Sequence, residues 1–465
     1  MKKCMTLKSK MSVLVVLLIV HIFCPAGQAV LKGGCAKVNI TPPLGIPLIG
    51  SKGKPSDDII DELYAKALVL NDGSNTIAIV SADLLYTPLE EITNPIREII
   101  KEKIGIPSQN VFICATHTHS GPEVFTKSKL GPDTEIPASK IDQFYLQTLI
   151  RKTASSVMIA YKNMQESSRK AGSQVKIGAA KGQIPEIVYN RRPKLADGSV
   201  KMAFTLPPEV TATKKIETDA EGNVKVTFTL PDEEAELDFG PIDPEVCVLR
   251  VEDMNGGIVG SLVNFGCHPV CIYPYLNTTI SADYPAYTTQ VVEQIEGGIC
   301  LFALGLAGNT VPIQRGVIPR RQIGKALGGE ALRRLQFITT SSNVTLNTLK
   351  KEIRFPIKTA SSTDKSKGVD EKNYITTEIQ VLRLGDIYIL GLPGEILVEV
   401  GLEIKKRAGV EKLFVISLSN DTIGYVCHSQ AYKEGGYEPV SGTNLAKGAG
   451  EIMIEQALDL INQAK

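Results

Sequence analysis

Apolar and polar positions along the chain fall into blocks whose length and spacing predict secondary structure. Short continuous apolar runs are typical of strands buried on both faces, and apolar residues at helical spacing are typical of helices that cover a sheet. The predicted strands cover 35–40, 63–71, 76–85, 111–115, 246–251, 258–265, 299–306, 351–356, 377–384, 387–392 and 413–418. The predicted helices cover 90–104, 141–164, 284–295, 320–337, 396–408 and 446–462. Because strands and helices alternate, we expect an α/β fold in which mostly buried mixed sheets form layers with flanking helices, organised as one elaborated domain.

Two stretches depart from this alternation. Residues 193–240 are rich in charge, Thr, Pro and Gly, and the segment 224–230 alternates polar and apolar positions. Such alternation is typical of a strand with one face in water, so we expect a small antiparallel insert here, inside a domain that spans 30–465. The sequence of residues 361–370 weakly indicates a short linker.

The N-terminal segment has the pattern of a secretory signal peptide. Four lysines precede an apolar stretch at 12–24, and small residues lead to a cleavage position after Ala29. The apolar stretch is short for a bilayer span. We therefore expect a signal peptide at 1–29, export to the periplasm or the extracellular space, and no integral membrane span after cleavage. An uncleaved anchor is the alternative.

Composition narrows the classes of function. Hydrophobic residues make up 43% and charged residues 22% of the 465 residues, which is enough for a large core. The net charge of +1 and the absence of a basic block with interleaved aromatic residues argue against nucleic-acid binding. The seven cysteines outside 1–29 form no CxxC spacing, so we expect small core residues rather than a disulfide framework. A bond between Cys267 and Cys271 is the alternative.

Histidine is rare, and its positions carry the candidate chemistry. Outside the N-terminal segment the chain has four histidines, and three of them follow predicted buried strands: His117, His119 and His268. Two histidines separated by one residue can converge on one ion at a strand end, and imidazole is a common zinc ligand. An isolated pair of this kind is more often structural. The shared strand-end setting makes a common metal site the favoured interpretation.

A metal site needs further donors, and the local pattern offers them only weakly. Glu395 follows a predicted strand across a Gly-Leu-Pro-Gly turn, at the start of a predicted helix. From this pattern alone, the better explanation is a favourable contact with the helix N-terminus, worth roughly 0.3–1 kcal/mol. Tyr425, Tyr432 and Tyr437 lie in a Gly-containing segment after the strand 413–418, where tyrosines are usually packing residues.

Several short motifs stand out in a fixed order. The most specific is Thr-His-Thr-His-Ser-Gly-Pro at 116–122. The supporting motifs are Val-Asn-Ile-Thr-Pro at 38–42, Ser-Ala-Asp at 81–83, Asn-Arg at 190–191, His-Pro at 268–269, Pro-Gly-Glu at 393–395 and Leu-Ser-Asn at 418–420. In this order they resemble the catalytic domain of the neutral/alkaline, non-lysosomal ceramidases. The resemblance covers nearly all of the chain after the N-terminal segment.

The resemblance implies a zinc-dependent amide hydrolase with one Zn²⁺ per chain and a metal-bound water as the nucleophile. The zinc ligands that it implies are His117, His268, Glu395 and Tyr425. His119 would donate a hydrogen bond to the substrate carbonyl, Tyr437 would help to stabilise the oxyanion, and Arg191 would orient the substrate. Nitrogen and oxygen ligands with one open position let zinc lower the pKa of water towards roughly 7. The implied partner is a small N-acylated substrate, with lipids among the candidates.

Two features depart from the family's pattern. The family's Gly-Asp-Val-Ser-Pro stretch corresponds to 308–312, where the aspartate is replaced by Asn309 and the serine by Val311. Valine cannot donate a hydrogen bond to a substrate head group, and Thr310 could replace the serine only if the loop shifts. The chain also ends after the last predicted helix, so we expect no C-terminal immunoglobulin-like domain. Both features weigh against ceramide itself and leave other N-acylated lipids, peptidoglycan fragments and acylated sugars open.

Other functions are compatible with the same residues. A zinc esterase or deacetylase acting on acylated carbohydrate could use the same site, and an exported, non-catalytic binding protein could keep the fold without turnover. Val311 in place of the serine favours the binding protein, and the presence of every implied ligand opposes it. A phosphatase-like enzyme with two metal ions would need several Asp ligands. Asp83 and Asp283 alone do not supply them.

Overall fold

The structure is a computed structural model that describes residues 30–126, 128–130, 140–168, 174–231, 237–358 and 373–465. The predicted signal peptide at 1–29 and the whole of the predicted linker at 361–370 fall outside these ranges, and both stay predictions. None of the helices in the described ranges has the length and apolarity of a membrane span.

The secondary structure alternates along the whole described chain. The strands are β1 (Lys32–Asn39), β2 (Asp58–Ile59), β3 (Tyr64–Asn71), β4 (Thr76–Ala82), β5 (Val111–Ala115), β6 (Val175–Gln183), β7 (Val188–Asn190), β8 (Lys215–Thr218), β9 (Val224–Thr227), β10 (Pro241–Ile242), β11 (Glu245–Asp253), β12 (Ile258–Phe265), β13 (Thr279–Ile280), β14 (Ile299–Leu304), β15 (Thr310–Pro312), β16 (Leu346–Pro356), β17 (Tyr374–Leu384), β18 (Ile387–Gly391), β19 (Glu395–Ile396), β20 (Lys412–Ile416) and β21 (Tyr425–Val426). The α-helices are α1 (Asn94–Ile104), α2 (Gln143–Ser168), α3 (Pro208–Thr211), α4 (Asp283–Glu296), α5 (Val317–Leu335), α6 (Val398–Ala408), α7 (Ala431–Glu434), α8 (Tyr437–Val440) and α9 (Ala449–Ala464). A π-helical turn at Leu89–Thr93 leads into α1.

Three larger sheets form the framework of the described chain. Their strand orders are β1-β3-β4-β5, β14-β12-β11-β6 and β16-β17-β18-β20. Each contains one parallel pair, namely β4 with β5, β12 with β14, and β18 with β20. The other neighbours run antiparallel. The sheets are therefore mixed, and the predicted α/β fold class is confirmed.

The three sheets share a packed interior. One apolar cluster joins Ile79 and Phe112 of the first sheet, Leu249 of the second, and Ile389 and Phe414 of the third, and all five are buried. Helices α1, α2, α4 and α5 contribute to the core of the first two sheets, and α6 and α9 to the core of the third. Because close-packed interiors deform little, the strand ends that carry the candidate residues hold fixed positions relative to one another.

The predicted strands and helices are present with small shifts at their ends, but β6 was not predicted. It pairs with β11 in antiparallel register along its length. Its sequence contains several Gly and Ala residues, so the apolar signal is weak. The structure gives the reason at Gly178, where an added Cβ would lie 2.3 Å from the carbonyl oxygen of Thr339. The backbone of Thr339 lies too close to β6 at this point for a larger residue to fit.

The predicted antiparallel insert is also present. Within the described residues, β8, β9 and β10 form a three-stranded antiparallel sheet, and β10 lies directly after the predicted end of the insert at 240. The cysteines outside 1–29 are all free and buried, Cys267 and Cys271 included. Their expected role as core residues is confirmed, and the alternative disulfide is not formed.

Candidate metal centre

His117 lies just beyond the end of β5, in the first sheet. Its backbone N–H donates to the carbonyl oxygen of Leu84 at 2.9 Å, and its φ of 68° places a non-glycine residue in the left-handed region. The ring Nδ1 lies 3.0 Å from the carbonyl oxygen of Leu85. Because a carbonyl only accepts hydrogen bonds, Nδ1 carries the proton and Nε2 is the bare nitrogen.

His268 is oriented in the same way at the end of β12, in the second sheet. Its backbone N–H donates to the carbonyl oxygen of Thr310 at 3.0 Å. Its ring Nδ1 contacts the carbonyl oxygens of Ala307 and Thr310, the latter at 3.2 Å. The bare nitrogen is again Nε2. Hydrogen bonds to the second ring nitrogen are typical of histidines that bind metals, because they fix the tautomer and the ring orientation.

Glu395 follows the strand β18 of the third sheet but lies in a separate two-stranded sheet, and its local structure corrects one expectation. It lies in the short strand β19, which pairs in parallel with β21 so that Glu395 stands opposite Tyr425. Helix α6 begins only at Val398, after an N-cap at Leu397. The expected placement of Glu395 in the first helical turn is therefore wrong, and the helix N-terminus does not explain this carboxylate.

The carboxylate of Glu395 faces both bare nitrogens. Its Oε2 lies 3.3 Å from Nε2 of His117 and 3.1 Å from Nε2 of His268. Its Oε1 accepts a hydrogen bond from the hydroxyl of Tyr86 at 2.8 Å. Burial opposes the negative charge of Glu395, but the contacts with the two histidines outweigh burial and lower its pKa well below the ordinary value.

This arrangement fits a bound cation. When both rings carry a proton only at Nδ1, the carboxylate oxygen and the two Nε2 atoms can only accept hydrogen bonds, and a positive charge between them, a proton on Nε2 or a bound cation, relieves their repulsion. A proton on His268 does not supply that charge at neutral pH, because burial and then the charge of Arg191 lower the pKa of this imidazole to about 4. Two imidazoles and a carboxylate are donors that suit zinc.

Tyr425, which the resemblance implies as a fourth ligand, lies beside these three residues. Its hydroxyl lies 3.4 Å from Nε2 of His268 and accepts a hydrogen bond from Nη2 of Arg191 at 3.1 Å. Burial, followed by the charge of Glu395, raises the pKa of Tyr425 well above its ordinary value. The four buried residues His117, His268, Glu395 and Tyr425 are called the ligand cluster below.

His119 stands beside the ligand cluster and defines a second possible donor set. Its Nε2 lies 3.3 Å from Nε2 of His117, and ligand atoms of His117, His119 and His268 all lie within 4.8 Å of one another. Burial, and then the charges of His117 and His268, lower the pKa of His119 well below its ordinary value. His119 is therefore neutral at physiological pH, and it is close enough to serve either as a ligand or as a donor to a substrate.

Arg191 is fixed on the far side of the cluster by a buried ion pair. Its Nε donates to Oε1 of Glu438 at 2.8 Å, and its Nη2 donates to the carbonyl oxygen of Gly308 at 3.0 Å. The other carboxylate oxygen of Glu438 accepts from Nη1 of Arg192 at 2.6 Å. Glu438 is fully buried. One carboxylate therefore holds two guanidinium groups beneath the site.

Tyr437 borders the site without being enclosed by it. Its ring lies 5.7 Å from the ring of Tyr425 and 5.9 Å from the ring of Phe204, which belongs to the insert. Tyr437 is 42% exposed. By contrast, the hydroxyl of Tyr432 donates to the carbonyl oxygen of Leu445 at 2.8 Å, which is the packing role expected of loop tyrosines.

The loop after β14 contacts His268, Arg191 and the start of helix α6. Asn309, which replaces the family's aspartate, accepts from the backbone N–H of Val398 at 2.8 Å and donates to Glu399 at 2.9 Å. Thr310 donates its hydroxyl to buried carbonyl oxygens, so it is not free to replace the missing serine. Val311 is buried in β15 opposite Tyr189 and belongs to the core.

Several residues of the site were not predicted from the sequence. Tyr86 follows strand β4, so its strand-end position was an available signal. For Glu438, the only indication in the sequence was its position next to Tyr437.

Tyr273 lies with its ring 5.4 Å from His119, and Arg315 donates to the carbonyl oxygens of Tyr273 and Phe204. Phe204, Tyr273, Arg315 and Tyr437 are called the mouth below.

Comparisons with known proteins bear on the fold. No protein-family model matches the chain. The structure is similar to that of the neutral ceramidase from Pseudomonas aeruginosa, with a TM-score of 0.69 and 17% identity, over 93% of this chain and 74% of that chain. A structure of a ceramidase complexed with C2 is similar with a TM-score of 0.67 and 17% identity, over 93% of this chain and 75% of that chain. The fold is therefore ceramidase-like.

Proposed function

We propose that the chain is a zinc-dependent hydrolase that cleaves an N-acyl amide bond outside the cytoplasm. The observation that carries the proposal is the convergence of two bare imidazole nitrogens on Oε2 of Glu395, within 3.3 Å, in a ceramidase-like fold. Export follows from the predicted signal peptide and is part of the proposal.

The ligand cluster would hold the metal. His117 and His268 offer Nε2, Glu395 offers Oε2, and Tyr425 offers its hydroxyl oxygen. When bound, zinc would lower the pKa of water and polarise the amide carbonyl. Arg191 orients Tyr425 through the hydrogen bond to its hydroxyl, and its positive charge stabilises negative charge on that oxygen.

The residues beside the cluster would act on the substrate. His119 stays neutral at physiological pH and can donate one hydrogen bond to the amide carbonyl. Tyr437 combines a partly exposed ring with a place next to Tyr425, so its hydroxyl can reach a substrate in the mouth. A positioned donor to a developing oxyanion contributes on the order of 3 kcal/mol to transition-state stabilisation.

The test pairs metal content with substrate cleavage. The purified chain should contain one zinc ion, and it should hydrolyse a fluorogenic N-acyl substrate in a reaction that a chelator abolishes and added zinc restores. A matched O-acyl ester and an acetylated sugar run in parallel distinguish an amidase from an esterase or a deacetylase. Bound zinc with cleavage of the ester or the sugar alone would overturn the amide assignment. A chain that binds no divalent metal would overturn the metal centre as well.

A further inference from the structure

Arg315 is anchored at the mouth by backbone groups. It lies between β15, whose Thr310 orients His268, and helix α5. Its Nη1 donates to the carbonyl oxygen of Tyr273 at 3.3 Å, and its Nη2 donates to the carbonyl oxygen of Phe204. The rings of those two residues lie against His119 and the guanidinium of Arg191, at 5.4 and 5.3 Å. Arg315 is therefore part of the rim through which a substrate would approach.

The charge of Arg315 has no acidic partner among the described residues. Its hydrogen bonds go to two backbone carbonyls, and its Nε is buried without a partner. Two arginines that are more deeply buried do have acidic partners, since Arg97 pairs with Glu378 and Arg320 pairs with Asp61. Burial and the charge of Arg191 lower the pKa of Arg315 from its ordinary value, although the group stays protonated. A partly buried cation without a counter-ion favours the approach of an anion.

The charged groups around the mouth also favour an anionic substrate. Arg191 and Arg192 share the carboxylate of Glu438, and Arg192 also lies 3.6 Å from Glu434, so these acidic groups already have cationic partners. Arg315 adds a third cation. The carboxylate of Glu395 faces the two histidines on the inner side of the site rather than the mouth. A substrate that carries a negative charge would therefore enter a field that attracts it.

We propose that the substrate is an N-acylated amine with an anionic group, a carboxylate or a phosphate, on its amine side, and that Arg315 binds this group. The inference rests on the proposed function. Acyl chains are largely apolar, so polar recognition falls to the amine portion. Guanidinium pairs with carboxylate and phosphate through parallel hydrogen bonds. In the reaction the C–N bond breaks, the oxygen of water stays on the acyl carbon, and the released amine takes up a proton.

The kinetic test compares substrates that share one acyl chain. N-lauroyl glycine, N-lauroyl O-phosphoethanolamine and neutral N-lauroyl ethanolamine are hydrolysed by the zinc-loaded chain. We expect at least one anionic substrate to exceed the neutral one by about tenfold in kcat/KM. Arg315→Gln should abolish this preference by raising KM for the anionic substrates, and it should change kcat/KM for the neutral substrate much less. Arg321→Gln, which removes an exposed arginine of α5, is the matched control for net charge.

A binding measurement keeps the inference separate from catalysis. Non-hydrolysable isosteres, in which CH₂ replaces the amide nitrogen, are titrated by calorimetry, with a carboxylate, a phosphate or a hydroxymethyl terminus. Tighter binding of either anion by about tenfold, lost in Arg315→Gln, supports the inference even if no amide is cleaved. The relative affinity of the carboxylate and phosphate isosteres shows which of the two anionic groups the substrate carries. Equal binding of all three isosteres, or equal weakening of all three in Arg315→Gln, overturns the inference.

Discussion

The ligand cluster and the mouth are built in opposite ways. The ligand cluster is buried; His117 and His268 follow strands of the first two larger sheets, and Glu395 and Tyr425 lie opposite each other in the two-stranded sheet of β19 and β21. Each histidine in it is oriented by a backbone carbonyl. The mouth is formed by the insert and by loops, and Phe204 and Tyr437 are 41% and 42% exposed. The residues proposed for chemistry are therefore fixed by the fold, and those proposed for recognition lie where sequence can change at small cost.

This difference predicts which property of the protein each kind of substitution should change. Substitutions in the ligand cluster should remove metal and turnover together. Substitutions in the mouth should alter substrate affinity and leave metal content unchanged. Buried groups that support the cluster from below should act mainly on stability.

The largest effect is expected from His117→Ala. Its Nε2 lies 3.3 Å from Oε2 of Glu395, and a neighbouring imidazole nitrogen, Nε2 of His119, lies 3.3 Å away from it rather than at its position. Loss of a ligand should remove most of the zinc and lower kcat/KM by roughly 1,000-fold or more, about 4 kcal/mol. Metal analysis of the dialysed protein and steady-state kinetics measure both quantities.

His119→Ala serves as the comparison, because it separates the two donor sets. If His119 donates only to substrate, this variant keeps its zinc and loses turnover. Loss of zinc in His119→Ala, together with retention of zinc in Glu395→Gln, would assign the metal to the three imidazoles instead. Full zinc content and full activity in His117→Ala would remove the metal centre altogether.

Glu438→Gln should be the most destabilising change around the site. It leaves the guanidinium of Arg191 buried without a carboxylate and leaves Arg192 only Glu434 at 3.6 Å, which costs roughly 3–5 kcal/mol of the free energy of unfolding. Burial opposes the charge of Glu438, but the two arginines outweigh burial and lower its pKa. Its contribution is thus present above about pH 4, the ordinary pKa of Glu, and is lost as the pH falls through the lower folded-state value.

Urea unfolding at pH 7 and at successively lower pH checks this prediction. The difference between the wild type and Glu438→Gln should shrink as the pH falls. Asp459→Asn, which removes an exposed partner of Lys351, is the control and should leave the unfolding midpoint unchanged. A difference that stays constant at all pH values would show that the ion pair is not its source.

The sequence predicts the scaffold of the ligand cluster better than its surroundings. His117 and His268 follow continuous apolar runs, which predict buried strands; these strands belong to two different sheets whose faces share one packed interior. Strand β6 was not predicted because its sequence contains Gly and Ala where other strands have large apolar residues. At Gly178 the backbone of Thr339 lies too close for a larger side chain. Its effect on the site is small, since it lies at the edge of the second sheet.

The supporting contacts could not be predicted, because they join residues far apart in the chain. Glu438 meets Arg191 across 247 positions, and Tyr86 meets Glu395 across 309 positions. No local period or motif encodes such pairs. Glu395 itself was placed in the wrong element, since a two-residue strand has no periodicity and its pairing with β21 depends on tertiary structure. The resemblance supplied Tyr425 and Arg191, which the local pattern alone would have left as packing residues.

A smaller effect is expected from Asn309→Asp, which introduces the aspartate of the ceramidase pattern that the sequence resembles. The new carboxylate can still accept from the backbone of Val398, but it loses the hydrogen bond to Glu399 and repels it. The loop that orients His268 and Arg191 should shift slightly, with a loss of about 1–2 kcal/mol of stability and roughly tenfold weaker zinc binding.

The double variant Asn309→Asp/Glu399→Gln tests the cause. A neutral amide at 399 can donate to the aspartate, so the double variant should regain most of the zinc affinity. Zinc competition with a chromogenic chelator measures each variant of the cycle. Additive losses, with no coupling between the two positions, would show that Asn309 acts through some other contact.

The smallest effect should come from Phe204→Ala, which tests the mouth alone. The ring of Phe204 lies over the guanidinium of Arg191 and against the ring of Tyr437, and a cation–π contact at such an exposed position is worth about 0.5–1 kcal/mol. Its loss should raise KM about threefold to fivefold, while kcat, zinc content and the unfolding midpoint stay at wild-type values. Arg191 keeps its place in the variant because Glu438 and Gly308 hold it from below. A fall in kcat equal to the rise in KM would mean that Phe204 orders the ligand cluster, and the boundary between the ligand cluster and the mouth would then have to be drawn outside Phe204.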